Sequence, residues 1–162
     1  MRRWLVGGAL IEGPGGVLLV QNQRRDGRID WSPPGGVIDE GEDLLTGLTR
    51  EVVEETGLAV TRWSPPLYDI EVEAPELGWH LRVQVHQAEE ISGDLVIDDP
   101  DGIVVGACYV PRCDCASQLE RSQLWVREPF HAWLDEPWSG IRSFRYLLDG
   151  ADPWSATVTS RT

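Results

Sequence analysis

The sequence contains no lysine, and its fourteen arginines stand against 27 aspartates and glutamates, for a formal net charge of −13. A chain this poor in positive charge is excluded from coating nucleic-acid backbone, which requires a basic surface. Phosphates remain within reach if a divalent metal sits between carboxylates and substrate. Cysteine is also scarce. Cys108, Cys113 and Cys115 cannot all pair within one chain, and their spacing is not that of a zinc site, so reduced thiols in a cytoplasmic protein are expected. No apolar run approaches the roughly 18 residues of a membrane helix. Arg2 and Arg3 precede an apolar stretch from Trp4 to Ile11, but Glu12 and the turn Gly13-Pro14-Gly15-Gly16 follow at once. A first strand and hairpin fit that pattern better than a signal peptide. With 162 residues, 41% hydrophobic and 25% charged, the composition suits a globular α+β chain. We expect one domain over residues 1–150 and a loosely ordered tail over 151–162.

Strands are predicted over Trp4–Glu12 and Val17–Gln23, followed by a polar loop from Arg24 to Asp30. Trp31-Ser32-Pro33-Pro34-Gly35-Gly36 reads as a rigid bend with close backbone approach, neither helix nor strand interior. Gly41–Thr56 is the best helix, with Glu42 and Asp43 at its positive end, Gly57 as its stop and Leu45, Leu48 and Val52 as its buried stripe. Further strands are expected at Leu58–Trp63, Tyr68–Glu73, Trp79–Ala88, Ile103–Val110 and Phe144–Leu148. Short helices are expected at Cys115–Ser122 and Glu128–Leu134.

The chemistry concentrates in that first helix. At about 100° per residue, Glu51, Glu54 and Glu55 share one narrow face beside the buried stripe. Three carboxylates so close repel one another unless a cation joins them, and Mg²⁺ takes hard oxygen ligands while leaving positions for substrate phosphates. Arg50, at i−4 from Glu54, can hold that carboxylate. A solvated acidic helix face is the plainer alternative for the glutamates taken alone.

The spacing goes further. From Gly36 the order is five residues, Glu42, seven residues, Arg50-Glu51-Val52, one residue, Glu54-Glu55, one residue, Gly57-Leu58. This resembles the Nudix box at every fixed position, and Trp31-Ser32-Pro33-Pro34-Gly35-Gly36 is similar to the segment that enters it. The resemblance implies a mixed sheet between helices and hydrolysis of a phosphoanhydride in a nucleoside diphosphate linked to some other group, with Mg²⁺ or Mn²⁺. It implies Glu51, Glu54 and Glu55 as metal ligands, joined by a backbone carbonyl of the Gly35-Gly36 turn, with one glutamate serving as base. Arg50 would orient a glutamate, and Gly36, Glu42 and Gly57 would shape the motif. A later carboxylate usually completes such a site. Asp98, Asp99 and Asp101 compete here with Glu89 and Glu90. Gly106 stands near the position, ahead of Tyr109-Val110-Pro111, where the family often carries Glu.

Arg24, Arg25 and Arg28 lie where substrate phosphates would arrive, and Trp31 or a C-terminal tryptophan could stack on a base; a solvated loop and ordinary packing are the alternatives. His80 and His86 share a strand face and are read as packing residues. The markers of the ADP-ribose and dinucleoside-polyphosphate subgroups match poorly: Pro75 and Tyr68 fall at the wrong distance from Leu58. The default is therefore a MutT-like enzyme acting on a normal or oxidised (d)NTP. The runner-up is an ADP-ribose or nucleotide-sugar pyrophosphatase, and a non-catalytic nucleotide sensor is the alternative of a different class. A small nucleotide is the expected partner, without nucleic-acid polymer or membrane, and a homodimer is common among similar proteins.

Overall fold

The computed structural model describes residues 1–161. Its first sheet contains β1 (Arg2–Leu10), β5 (Gly35–Val37), β6 (Ala59–Ala74), β7 (Trp79–Ser92), β9 (Arg142–Asp149) and β10 (Thr157–Arg161), in the order β10-β9-β6-β7-β1-β5. The sheet is mixed: β1 runs parallel to β7 and β6 parallel to β9, while the remaining pairs are antiparallel. A second sheet is built on β3 (Gly16–Gln23), which pairs with β2 (Glu12–Gly13), β4 (Ile29–Ser32) and β8 (Val104–Val110). Three α-helices complete the fold: α1 (Leu44–Thr56), α2 (Cys115–Gln118), which continues a 3₁₀ turn, and α3 (Leu124–Asp135). This is the α+β architecture expected, a mixed sheet between helices.

The two longer helices, α1 and α3, cover different apolar clusters. Leu48 and Val52 of α1 are fully buried with Ala9, Ile11, Leu18, Leu58 and Val60. Trp125, Phe130, Trp133 and Leu134 of α3 pack with Leu10, Leu19, Tyr68, Val72, Tyr146 and Leu148. Burial of such side chains contributes about 1.5–3 kcal/mol each and holds the strands that carry the site.

Several boundaries differ from the sequence reading, each for a local reason. Helix α1 starts at Leu44 rather than Gly41, because Gly41 adopts φ +82° and the Asp43 carboxylate caps the amide of Thr46. Glu42 and Asp43 therefore precede the first turn. Gly57 ends the helix as expected, with φ +79° and its N–H donating to the Val53 carbonyl. The segment from Trp31 to Gly36 is not outside the sheets. Residues 29–32 pair with β3, and Gly35–Val37 pair with β1, because a ladder needs only backbone and the glycines let the chains approach. A Cβ on Gly35 would lie 2.1 Å from the Gly7 carbonyl oxygen. Leu58–Trp63 and Tyr68–Glu73 merge into one long bulged strand, β6. Helix α3 begins earlier than Glu128, with Pro129 inside it. The tail, expected to be loosely ordered, contains β10: Thr157–Arg161 complete the hydrogen-bonding edge of β9, and Val158 packs on the core.

Candidate functional site

The segment that enters α1 and the helix itself build one face of an acidic cleft. Gly35-Gly36 lie against the second and last turns of α1 because nothing projects from them: a Cβ on Gly36 would sit 2.4 Å from the Glu51 carboxyl carbon. The Gly35 N–H donates to Glu55 Oε1 at 2.7 Å. Glu55 is buried, and loss of water pushes its carboxyl up to about 8; Glu51 and Asp99 add to the rise, while the Gly35 amide and Arg24 oppose it. Burial also raises Glu51, against the lowering pull of Arg50, with Glu54 and Asp101 adding repulsion.

Arg50 ties the site together. Its Nε and Nη2 donate to the two carboxylate oxygens of Glu42 at 3.0 Å each, and its Nη1 lies 3.0 Å from Glu51 and 3.3 Å from Glu54. Its Nη2 also donates to the Val37 carbonyl. The guanidinium holds the Glu42 carboxyl below its ordinary range, and the carboxylates raise Arg50 in turn. Glu42 also receives the Asp39 amide and fills the space left by Gly47, whose Cβ would lie 2.5 Å from its oxygen.

A cavity of about 300 Å³ opens here, lined by Asn22, Arg24, Ser32, Gly35, Gly36, Val37, Glu51, Glu55, Asp99, Asp101 and Ile103. Glu51 and Glu55 face it. Glu54, drawn to Arg50, stands at its edge, outside the lining. Asp99 and Asp101 belong to the loop between β7 and β8. Both oxygens of Asp99 are used in shaping that loop, accepting from the amides of Asp101, Ile103 and Val104. Asp101 accepts no side-chain hydrogen bond among the described residues. Glu89 and Glu90 are instead paired with Arg62 at 3.3 and 2.9 Å, and Asp98 does not line the cleft.

Arg24 reaches the cleft on a firm mount. Its Nε and Nη2 meet the two oxygens of buried Asp30 at 2.7 and 2.9 Å, and Asn22 bridges Asp30 to Ser32 at 3.0 and 2.9 Å. Arg25 lines neither this cavity nor its neighbour. Arg28 pairs with Asp26 and stacks on Trp154. Trp31 is not brought to the cleft. It packs on the core of α3, takes a hydrogen bond from Ser122 on its carbonyl, and lines a different cavity with Ile29, Asp30, Ser117, Gln118, Glu120 and Arg121. His86 is buried between the Ser64 carbonyl and Gln84, as a packing residue would be.

A second cavity, also about 300 Å³, shares Arg24, Ser32, Gly35 and Gly36 with the first. Its other walls are apolar: Val6, Leu81, Val83 and Val85 from the sheet, Pro33 and Pro34, and Trp125 and Val126 from α3, with Tyr68 and Ile70. Trp125, Val126 and Tyr68 carry no linear signature. They meet only because α3 packs over β6 and β9, so no spacing in the sequence could have singled them out.

The donor set of the first cleft suits a hard divalent cation: carboxylates, a backbone carbonyl and no sulfur or imidazole. Half-buried Glu51 and buried Glu55 both have raised pKa values, and a cation between them would relieve that. Among the described residues, no group of three side chains is already gathered to hold a metal, since Arg50 draws Glu51 and Glu54 aside. The residues fit the ion as a set that closes around it.

A mixed-sheet fold with a glutamate-bearing helix against a Gly-Gly turn defines a class of phosphoanhydride hydrolases, and comparison with known proteins agrees. Residues 1–134 match the family model for the NUDIX domain. The chain belongs to the NUDIX family, whose members generally use divalent metal ions and act on small nucleotides. Over 61 residues it is 44% identical to an RNA pyrophosphohydrolase of Dinoroseobacter shibae, covering 37% of each protein. Over 53 residues it is 42% identical to the nucleoside diphosphate-linked moiety X motif 6 protein of Xenopus laevis, 33% of this chain and 24% of that one. The matched stretches thus span well under half of these curated relatives. A MutT NUDIX hydrolase of Burkholderia pseudomallei superposes with a TM-score of 0.61 at 26% identity, over 70% of this chain and 86% of that one. A MutT protein of Bacillus halodurans gives a TM-score of 0.67 over 97% of both chains, at 17% identity, a likeness of fold alone. Among the described residues, no helix is long and apolar enough to cross a membrane.

Proposed function

We propose that the chain is a Mg²⁺-dependent pyrophosphohydrolase, able to use Mn²⁺, acting on a nucleoside triphosphate, normal or oxidised. One observation carries this reading. The acidic cleft and the apolar cavity are neighbours that share Arg24, Ser32, Gly35 and Gly36 in their linings, so phosphates in one would lie beside a single flat ring in the other. Glu51, Glu54, Glu55 and the Gly35 carbonyl would hold the metal, with Asp101 reaching in from its loop. Bound there, a divalent ion supplies charge neutralisation on phosphoryl oxygens and acidifies a water.

The remaining work falls to the protein. The Gly35 amide fixes the Glu55 carboxyl, and Arg50 fixes Glu51 and Glu54 in one orientation. Glu54 and Asp101, at the rim of the cleft, are the carboxylates placed to take a proton from attacking water. Arg24, held from behind by Asp30, presents its free edge to an arriving phosphate. Pro33 and Pro34, between the shared residues Ser32 and Gly35, stiffen the wall of the apolar cavity.

A hydrolysis screen with Mg²⁺ and product identification tests this. The panel holds normal and oxidised (d)NTPs, ADP-ribose, nucleotide sugars, dinucleoside polyphosphates and a 5′-triphosphate RNA. Monophosphate plus pyrophosphate from triphosphates supports the proposal. AMP plus a sugar phosphate moves the substrate to ADP-ribose. No turnover with either metal, by a folded protein, overturns the enzymatic reading in favour of a nucleotide sensor.

A further inference from the structure

The apolar cavity beside the acidic cleft contains one polar group without a partner. Two tyrosines are almost completely buried, Tyr146 and Tyr68, each about 1% exposed. The Tyr146 hydroxyl donates to Glu128 at 2.8 Å, whereas no hydrogen bond involves the Tyr68 hydroxyl among the described residues. No side-chain polar atom of the described residues is both sealed from solvent and unpaired, so the residual exposure of Tyr68 belongs with its hydroxyl. The space that ring lines is the apolar cavity. Its ring is held still by edge-on contacts with Phe144 and Trp138, at centroid distances of 5.9 and 6.1 Å. The hydroxyl is thus reachable by solvent or a ligand and takes no partner from the described residues, which leaves it free for a ligand.

We propose that Tyr68 is the base-anchoring residue of this site: its hydroxyl takes the polar edge of a nucleobase whose faces lie against the apolar walls, Trp125 among them. The inference rests on the reading of the site as a nucleotide site and deepens it. A flat ring with apolar faces and a polar edge is what this cavity complements, since its remaining walls beyond the shared mouth are Val, Leu, Ile, Pro and Trp. A hydroxyl both donates and accepts, so it serves an oxo or an amino edge equally. The site therefore separates a base from no base, and discriminates weakly among bases. A fixed hydroxyl with no competing partner in the free protein loses nothing when the ligand arrives, which makes it an efficient anchor.

The test uses binding, so that it stands apart from turnover. Wild type and Tyr68→Phe are titrated with GMP, AMP, UMP and ribose 5-phosphate, without divalent metal, reading intrinsic tryptophan fluorescence and, in parallel, Tm. Tyr68→Phe should weaken all three nucleotides by about 10-fold, the usual worth of one buried hydrogen bond, and leave ribose 5-phosphate unchanged. Its Tm should match that of wild type, because the hydroxyl makes no hydrogen bond among the described residues. Equal nucleotide affinity in variant and wild type overturns the proposal, as does a loss shared by ribose 5-phosphate together with a lower Tm. Failure of wild type to bind any nucleotide overturns it as well. Binding without hydrolysis of any triphosphate would sink the enzymatic reading and leave Tyr68 as the base reader.

Discussion

Replacing Glu55 with Gln isolates the electrostatic cost of burying its carboxylate. The carboxyl is buried, one oxygen accepts the Gly35 amide at 2.7 Å, and its pKa rises from 4.5 to about 8. Because the folded, metal-free protein binds this proton more tightly than the unfolded chain, the group favours folding fully below pH 4.5. That contribution is lost as pH climbs through the folded value near 8. The rise corresponds to about 5 kcal/mol between the two limits, and about 3 kcal/mol is already lost at neutral pH. Gln keeps the oxygen that accepts from Gly35 but carries no charge at any pH. Glu55→Gln should therefore match wild type at pH 5 and exceed it in the absence of metal at pH 8.5. A gain of several kcal/mol in a chain of this size is on the order of 10 °C in Tm. Adding Mg²⁺ at pH 8 should stabilise wild type and leave the variant nearly unmoved, because binding adds stability only to a state that binds. Thermal or denaturant unfolding at several pH values, with and without metal, measures all of this. A stability difference that is the same at pH 5 and pH 8.5, or a variant less stable throughout, would refute the argument.

Three further outcomes follow from the same geometry. Arg50→Ala releases Glu42, Glu51 and Glu54 together, and kcat should fall at least about 100-fold with the circular dichroism spectrum kept, while Arg50→Lys recovers only part because one ammonium cannot serve three carboxylates. Asp101→Asn should weaken metal activation and lower kcat about 10- to 100-fold, whereas Asp98→Asn, outside the cleft, should leave both unchanged; equal effects in metal titrations of activity would remove Asp101 from the site. Leu48→Ala, a fully buried position on α1, should cost about 2–5 kcal/mol in denaturant unfolding, and a loss below about 1 kcal/mol would mean that α1 is not anchored as described.

The site divides cleanly into what is near in sequence and what is not. Glu51, Glu54 and Glu55 lie within one turn, so helical periodicity alone places them together, and Arg50 falls within reach of Glu54 for the same reason. Gly57 as a helix stop and the buried pair Leu48 and Val52 were legible on the same grounds. Among the acidic residues that competed to complete the site, chain order offered no preference. Only the fold shows Glu89 and Glu90 spent on Arg62, Asp99 spent on its own loop, and Asp101 turned to the cleft. Trp31 was a candidate to stack on a base, with ordinary packing as the alternative, and alternation along β4 sends it elsewhere while its neighbour Ser32 lines both cavities.

By itself, the sequence determined the acid-bearing helix, its C-terminal stop at Gly57 and the glycines that let the turn close on it. Those properties depend on local backbone geometry and on residues within a few positions of one another. The tertiary structure alone decided which distant carboxylate and arginine reach the cleft, and built the apolar cavity around Tyr68 and Trp125. Such contacts join β6, β7 and α3 across long stretches of chain, and they are selected by which faces bury together, a condition that no short pattern records.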